Sequence, residues 1–182
     1  MARISFDAML RDSISNKQTE EFLRLYREPL KEEVKIEEKP LKIFISFSEY
    51  SENIYLVEQL LDPFLSHLSF DVHYWRKDQR IGIPTKIIED IIDNCDGIIA
   101  LYTKDDKIEG GSYRSTGNVT FELGRARLPA VILCEKGTKI ESMPYSTITV
   151  IHFERGKFGQ LFLDLLKVLK NSRWIDIKTS MP

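Results

Sequence analysis

From residue 41 onward, short apolar runs alternate with longer segments of helical spacing, and this alternation limits the possible folds more than any other feature. The short runs are rich in β-branched and aromatic residues, are predicted to be strands, and lie at 41–47, 70–75, 97–103, 130–135 and 148–153. The intervening and following segments are predicted to be helices and lie at 53–68, 84–95, 118–128 and 157–170. Five strands alternating with helices favour a parallel sheet covered on both faces.

The first 40 residues have a different character. The stretch "NKQTEEFLRLY" has the spacing of an amphipathic helix, which Pro29 is expected to end or kink, and a Lys- and Glu-rich segment follows as far as Pro40. We therefore predict a helical and charged extension over 1–40, one domain over 41–174 and a tail over 175–182.

Composition narrows the class of protein. The chain has 182 residues and a formal net charge of -2, which gives no electrostatic argument for binding nucleic acid or an anionic membrane. No apolar run approaches the roughly 20 residues of a membrane span, and the first residues lack the pattern of a secretory signal. Cys95 and Cys134 adjoin apolar runs without metal-ligand spacing and are predicted to be buried free thiols. We expect a soluble, cytoplasmic protein.

Common catalytic motifs are missing from the sequence. It contains no G-x-G-x-x-G or phosphate-binding G-x-x-x-x-G-K loop, no histidine pair at metal-ligand spacing and no G-x-S-x-G elbow. The glycine-containing stretch "EGGSYRSTGN" (109–118) is interpreted as a flexible loop that could close over a ligand. In parallel sheets ligands bind outside the carboxyl ends of the strands. The candidate polar residues there are Ser46, Ser48, the segment 75–84, and the pair Asn118 and Glu122.

The stretch "NVTFELGRA" (118–126) places a carboxylate within an apolar, small-residue helix. Asn118 and Glu122 are four residues apart and share one helical face, and Asn118 is predicted to cap the helix. Gly124 and Ala126 would allow close packing on the sheet. Glu122 is thus either a functional carboxylate in a strand-end cleft or a solvated surface acid.

The strings "KIFISFS", "VHYWRKDQRIGIP", "CDGIIALYT" and "NVTFELGRA", in this order, resemble the TIR domain family over roughly residues 41–170, and most closely its prokaryotic nucleotide-binding members. The resemblance implies a flavodoxin-like, three-layer fold with a five-stranded parallel sheet. It also implies cleavage of NAD at the nicotinamide glycosidic bond with Glu122 as the catalytic carboxylate, in a defence or signalling role. Residues 46–48 would form part of the nucleotide pocket, and the loop 76–84 would be mobile and mediate self-association.

On this interpretation NAD is a substrate and no cofactor is required. Phe47 and Trp75 would offer aromatic surfaces to its rings, and Arg76 and Arg80 would meet its pyrophosphate, with Ser46, Ser48 and Asn118 completing the binding residues. Trp75 could equally belong to the core, and both arginines could be simply solvated.

Two other functions stay open on the sequence. The first is a non-catalytic TIR-like module that binds a nucleotide or assembles with partners. The second is a relative of the nucleoside deoxyribosyltransferases, which also use a glutamate at a glycosidic carbon. The stretch "SYRSTGN" replaces the serine, tryptophan and cysteine pattern of animal receptors, which argues against receptor-style adaptor signalling.

Overall fold

The structure, a computed structural model, describes residues 40–78, 84–126, 128–140 and 148–175. The chain divides into two compact units, with the boundary between His152 and Phe153. The predicted extension over 1–40 and tail over 175–182 fall almost entirely outside the described residues, so the division into domains stays a prediction.

Alternating strands and helices make up the unit that ends at His152, and the last strand crosses the boundary by one residue. The strands are β1 (Lys42–Ser46), β2 (Asp71–His73), β3 (Gly97–Tyr102), β4 (Asp106–Lys107), β5 (Tyr113–Arg114), β6 (Ala130–Glu135), β7 (Thr138–Lys139) and β8 (Ile148–Phe153). The helices are α1 (51–67), α2 (Pro84–Asp93) and α3 (Gly117–Arg125). In the unit that begins at Phe153, α4 (Phe158–Asn171) buries one apolar stripe that includes Leu161, Leu165 and Leu169.

Helix α1 changes its winding along its length. Its first turn, Ser51–Tyr55, is α-helical, Leu56–Leu61 is π-helical, and Asp62–His67 is α-helical again. Pro63 provides a physical reason, because its ring lacks an N–H and would clash with the carbonyl four residues earlier in a regular helix. A wider turn before the proline relieves that clash.

The five long strands form one parallel sheet in the order β2-β1-β3-β6-β8. Taken among these five strands alone, this is the order 2-1-3-4-5, the doubly wound order of flavodoxin-like proteins. The predicted flavodoxin-like α/β fold is therefore confirmed. Strand β2 lies on one side of β1 and strand β3 on the other, so the connections that leave β1 and β2 run in opposite directions across the sheet. This places a topological switch point at the carboxyl ends of β1 and β3.

One face of the sheet carries the core beneath α2 and α3. Alternate residues of the central strands, among them Phe44, Ala100 and Ile132, pack there against apolar residues of the two helices. Helix α3 contributes Val119, Leu123 and Ala126 to this core. Cys95 and Cys134 are buried free thiols, as predicted.

A second, small sheet joins loops that follow β3 and β6. Strand β5 pairs antiparallel with β4 and parallel with β7. Gly110 and Gly111, both with positive φ near 80°, form the turn between β4 and β5. The interpretation of 109–118 as a flexible loop is thus wrong in part, because that stretch contains β5 and the first two residues of α3.

Two expectations about α3 are also wrong, the second of them only for Gly124, because Ala126 packs in the core as predicted. Thr116 occupies the N-cap position, and Asn118 lies inside the first turn, where it makes no capping hydrogen bond. Gly124 is exposed, and a Cβ built on it would meet nothing within 4 Å. The helix instead packs through positions 119, 123 and 126, whose spacing turns Gly124 away from the sheet.

Candidate functional site

A cavity of about 540 Å³ opens at the carboxyl ends of β1 and β2. Its volume lies within the range of nucleotide and drug-sized ligand sites. The residues that line it come from β1 and the loop after it, the segment after β2, α2 and the start of α3: Phe44, Ile45, Phe47, Ser48, Glu49, Tyr50, Trp75, Arg76, Ile88, Thr116, Asn118 and Glu122. The cavity thus lies beside the switch point that the strand order defines.

Glu122 reaches this cavity because of its place on α3. Val119 and Leu123 are buried against the sheet, and Glu122, three residues after Val119, lies at the edge of this buried face, from where it projects toward the strand ends. There the Ser46 hydroxyl donates a hydrogen bond of 2.5 Å to Glu122 Oε2. Ser46 is the last residue of β1 and only 1% exposed. The sheet and the helix therefore meet through a direct bond to the carboxyl group.

The surroundings change the acidity of this group. Burial raises the pKa of Glu122 from 4.5 to about 7, although the hydrogen bond from Ser46 acts in the opposite direction. Burial has this effect because it disfavours the charged carboxylate, whereas a donated hydrogen bond favours it. A carboxyl group with a strongly shifted pKa in a cleft is typical of functional sites.

Aromatic side chains and one arginine form another part of the cavity wall. Phe47 contacts Tyr74 edge to face, with ring centroids 5.8 Å apart, and Trp75 is partly buried in the cavity wall rather than in the core. Arg76 is also in the wall, and its Nε donates to Glu58 on α1 at 2.9 Å. A guanidinium carries five N–H donors, so this bond leaves others for a ligand.

Helix α3 is attached to the rest of its unit at three levels. Its N-terminus is bonded through Thr116 N to the carboxylate of Asp105 at 3.0 Å. Its middle packs through the apolar residues already described. At its C-terminus, Arg125 forms ion pairs with Glu89 and Asp93 of α2 at 3.4 and 3.5 Å.

A network of hydrogen bonds joins the loop after β1, helix α1 and the loop after β3. Asn53 of α1 is 1% exposed and donates to Ser48 Oγ at 2.6 Å and Thr103 Oγ1 at 2.9 Å. Thr103 Oγ1 in turn donates to Asp105 Oδ1 at 2.7 Å. Sequence reasoning did not single out Asn53, Thr103 or Asp105. The available signal was that Thr103 and Asp105 are polar residues directly after a buried strand.

The structure brings most of the predicted site residues together. Phe47, Ser48, Trp75, Arg76, Asn118 and Glu122 line one cavity, and Ser46 is bonded to Glu122. Arg80 lies outside the described residues. Glu49, Tyr50 and Thr116 line the same cavity but were not predicted. Whether any of these residues binds or acts on a ligand stays a prediction.

Two further properties concern the described residues alone. Within 40–78, 84–126, 128–140 and 148–175, no three His, Cys, Asp or Glu side chains are grouped so that they could hold a metal ion. Over the same ranges, no helix combines the length and the apolar character that crossing a membrane requires.

The fold and the strand-end cavity together define a flavodoxin-like α/β domain with a cavity beside its switch point. Residues 42–142, more than half of the chain, match the family described as the TIR domain of CAP12/Pycsar effector proteins. The chain belongs to this family, and its resemblance to prokaryotic TIR domains is confirmed.

Other comparisons give distant similarity. No curated protein is significantly similar to this chain. A solved structure of the CMP N-glycosidase BcmB from Clostridium botulinum is 19% identical with a TM-score of 0.41, over 69% of this chain and 98% of that one. A response regulator receiver domain protein from Bacillus halodurans is 15% identical with a TM-score of 0.42, over 70% of this chain and 97% of that one.

Proposed function

We propose that this TIR domain binds a nicotinamide dinucleotide and hydrolyses its nicotinamide N-glycosidic bond, with Glu122 as the catalytic carboxylate. The observation that carries the proposal is the partly buried Glu122 carboxyl group, held by Ser46 within a cavity of nucleotide size. The family to which the chain belongs supports a nucleotide-like ligand.

The chemistry requires a single carboxylate. In NAD the nicotinamide ring is a pyridinium cation bonded to C1′ of the ribose. It takes the electron pair of the C1′–N bond and leaves as neutral nicotinamide, so no general acid is needed. The ribose carbon becomes electron-poor, and ionised Glu122 either stabilises this centre or attacks it, as the nucleophile of a retaining glycosidase does. Water then supplies a hydroxyl group to C1′ and one proton is released. The products are nicotinamide and ADP-ribose.

Other residues of the cavity wall are suited to bind the rings, the pyrophosphate and the ribose hydroxyls of NAD. Phe47 and Trp75 supply flat apolar surfaces for the nicotinamide ring or the adenine base. Arg76, whose Nε is engaged by Glu58, retains donors for the pyrophosphate. Ser48 and Asn118 offer polar groups to the ribose hydroxyls. Arg80 belongs to the proposal on sequence grounds alone.

The test is nicotinamide release from NAD by the full-length chain and by Glu122→Gln, which keeps the shape of the side chain but not its charge. We expect release by the wild type and a loss of about a hundredfold or more in the variant. Glu109→Gln, a substitution of an exposed glutamate outside the cavity, is the matched control and should keep full activity. Equal release by wild type and Glu122→Gln would refute the catalytic role. Ligand-induced stabilisation without turnover would instead favour a non-catalytic nucleotide-binding module.

The proposal extends to assembly and biological role. Self-association through the loop 76–84, of which residues 79–83 lie outside the described ranges, would complete the active form. Specific activity should then rise with protein concentration, and Ile83→Glu should abolish that rise; activity independent of concentration would contradict it.

The cellular role would be defence or signalling through consumption of NAD in the cytoplasm. Expression of the wild type but not of Glu122→Gln should then lower the NAD of a bacterial host, and equal NAD in both would contradict it.

A further inference from the structure

Asp105 is the meeting point of several polar contacts outside the cavity. It lies in the turn between β3 and β4, and it is not among the residues that line the cavity. Its Oδ1 accepts a hydrogen bond from Thr103 Oγ1 at 2.7 Å. Its Oδ2 accepts from Ser115 Oγ at 3.1 Å and from Thr116 N at 3.0 Å. One carboxylate thus joins the end of β3 to the residues that begin α3.

The contact with Asp105 fixes the start of α3, where no side chain makes an ordinary capping hydrogen bond. Thr116 occupies the N-cap position, but its side chain makes no capping bond, and its hydroxyl has no hydrogen-bond partner among the described residues. The Asp105 carboxylate accepts from the Thr116 N–H instead, which also places a negative charge at the positive end of the helix dipole. The start of α3 is therefore bonded to a residue of another loop.

The same hydrogen-bond network extends to Ser48 in the cavity wall. Asn53 donates to Thr103 Oγ1 and to Ser48 Oγ, and Ser48 lines the cavity just after β1. Asn53, Thr103 and Ser48 are all buried. A buried network in which each member is satisfied holds its members rigidly, and the loss of one member leaves the others unpaired.

Glu122 is sensitive to this arrangement because of where it lies on the helix. It is six residues beyond Thr116, roughly 9 Å along the axis at 1.5 Å per residue. An O–H···O bond requires an O···O separation of no more than roughly 3 Å. Ser46 Oγ and Glu122 Oε2 therefore stay bonded only while α3 keeps its position relative to the end of β1. A small tilt or slide at the N-terminus of α3 would separate the two groups.

We infer that Asp105 is a positioning residue for Glu122: by holding the start of α3 against the end of β3, it sets the Glu122 carboxyl against Ser46 inside the cavity. Asp105 acts through the helix and touches neither the cavity nor a ligand. The structural part of this inference concerns the free protein. Its consequence for turnover rests on the proposed function.

The first experiment needs no ligand. The titration of Glu122 is followed by carboxyl NMR of the full-length chain with labelled glutamate, and the signal is assigned by its loss in Glu122→Gln. We expect the midpoint to fall by about half a pH unit or more in Asp105→Ala and Asp105→Asn, because burial is the larger influence on this pKa and a displaced carboxyl group loses burial. If Asp105→Ala fails to fold, Asp105→Asn decides, since it keeps the shape and one acceptor oxygen.

The matched control is Asp106→Asn. Asp106 is the next residue, and its carboxylate forms an exposed ion pair with Arg114 at 3.7 Å. This substitution should leave the Glu122 titration unchanged, because exposed pairs contribute little. An unchanged midpoint in a folded Asp105→Asn protein would overturn the positioning role, and so would equal shifts in Asp105→Asn and Asp106→Asn.

The second experiment measures turnover of NAD by the same variants. We expect kcat to fall by about tenfold to a hundredfold in Asp105→Asn with little change in KM, because a displacement of about 1 Å at a catalytic group has effects of this size. A shifted titration with unchanged kcat would overturn the catalytic consequence. Absence of turnover in the wild type would refute the proposed function, while the NMR titration would still test whether Asp105 positions Glu122.

Discussion

At the scale of single residues, the site depends on two opposing influences on one carboxyl group. Burial raises the pKa of Glu122 to about 7, and the Ser46 hydroxyl favours the charged form. The protonated form of this carboxyl group is therefore favoured over a wider pH range than in an exposed glutamate. Binding of a cationic ring beside it would favour the carboxylate and so prepare the charge that the proposed reaction needs.

This balance predicts the pH dependence of the proposed reaction. For the wild type, kcat/KM should rise about tenfold per pH unit on the acid side and level off above about pH 7, because only ionised Glu122 is active and its pKa is about 7. Ser46→Ala should move this midpoint to higher pH, because it removes the bond that stabilises the carboxylate. Profiles of kcat/KM between about pH 4 and 9 check both statements.

Ser66→Ala is the control for this series. Ser66 is an exposed serine of α1 that donates to Asp62 at 2.9 Å, and its loss should leave the profile unchanged. A wild-type midpoint near 4.5, the ordinary pKa of a glutamate, would show that burial does not tune Glu122.

At the scale of elements, α3 determines where Glu122 lies, and its apolar face determines how α3 sits on the sheet. Leu123 is 1% exposed and packs in the core, whereas Phe121 on the same helix is 55% exposed. Two large apolar residues that flank Glu122 in sequence thus have opposite environments.

Truncating these two side chains should have unequal effects. Leu123→Ala should lower the free energy of unfolding by about 2–5 kcal/mol, because it leaves a cavity in the core. Phe121→Ala should change it by about 0.5 kcal/mol or less, because little of its contact area is buried. Urea unfolding of both variants at one pH provides the comparison, and similar losses would contradict the described orientation of α3.

The elements themselves could be predicted from the sequence because each long strand and each helix carries its own periodicity. All five long strands and the helices near 53–68, 84–95, 118–128 and 157–170 lie where the pattern predicts them. The small sheet could not be predicted, because strands such as Tyr113–Arg114 are too short to show a period. Gly124 was misinterpreted because its small size was considered without the face of the helix on which it lies.

The candidate site was only partly predictable for a different reason. Glu122 and Asn118 share a local spacing, which a sequence displays. The network of Asn53, Thr103 and Asp105 joins residues from separate loops, and its hydrogen bonds exist only once the strand ends are brought together. The bond between Ser46 and Glu122 spans 76 positions, so no local pattern of the sequence displays it.

At the scale of the whole molecule, the buried carboxyl group of Glu122 links folding to pH. A group whose pKa is about 7 when folded and 4.5 when unfolded holds its proton more tightly in the folded state. Its contribution to stability is therefore fully present below about pH 4.5 and is lost as the pH rises through about 7. The protein is expected to be less stable at the pH where the proposed reaction is fastest.

Glu122→Gln removes this titration while keeping the side chain's volume. The variant should therefore gain stability relative to the wild type as the pH rises from about 5 to 8, by roughly 2–3 kcal/mol at 1.36 kcal/mol per pKa unit. The measurement is urea unfolding of both full-length proteins at each pH, with Glu109→Gln as a control whose difference from the wild type should stay constant. A difference between Glu122→Gln and wild type that does not change with pH would mean that Glu122 titrates alike in the folded and unfolded chain, and the burial that supports its catalytic role would then be contradicted.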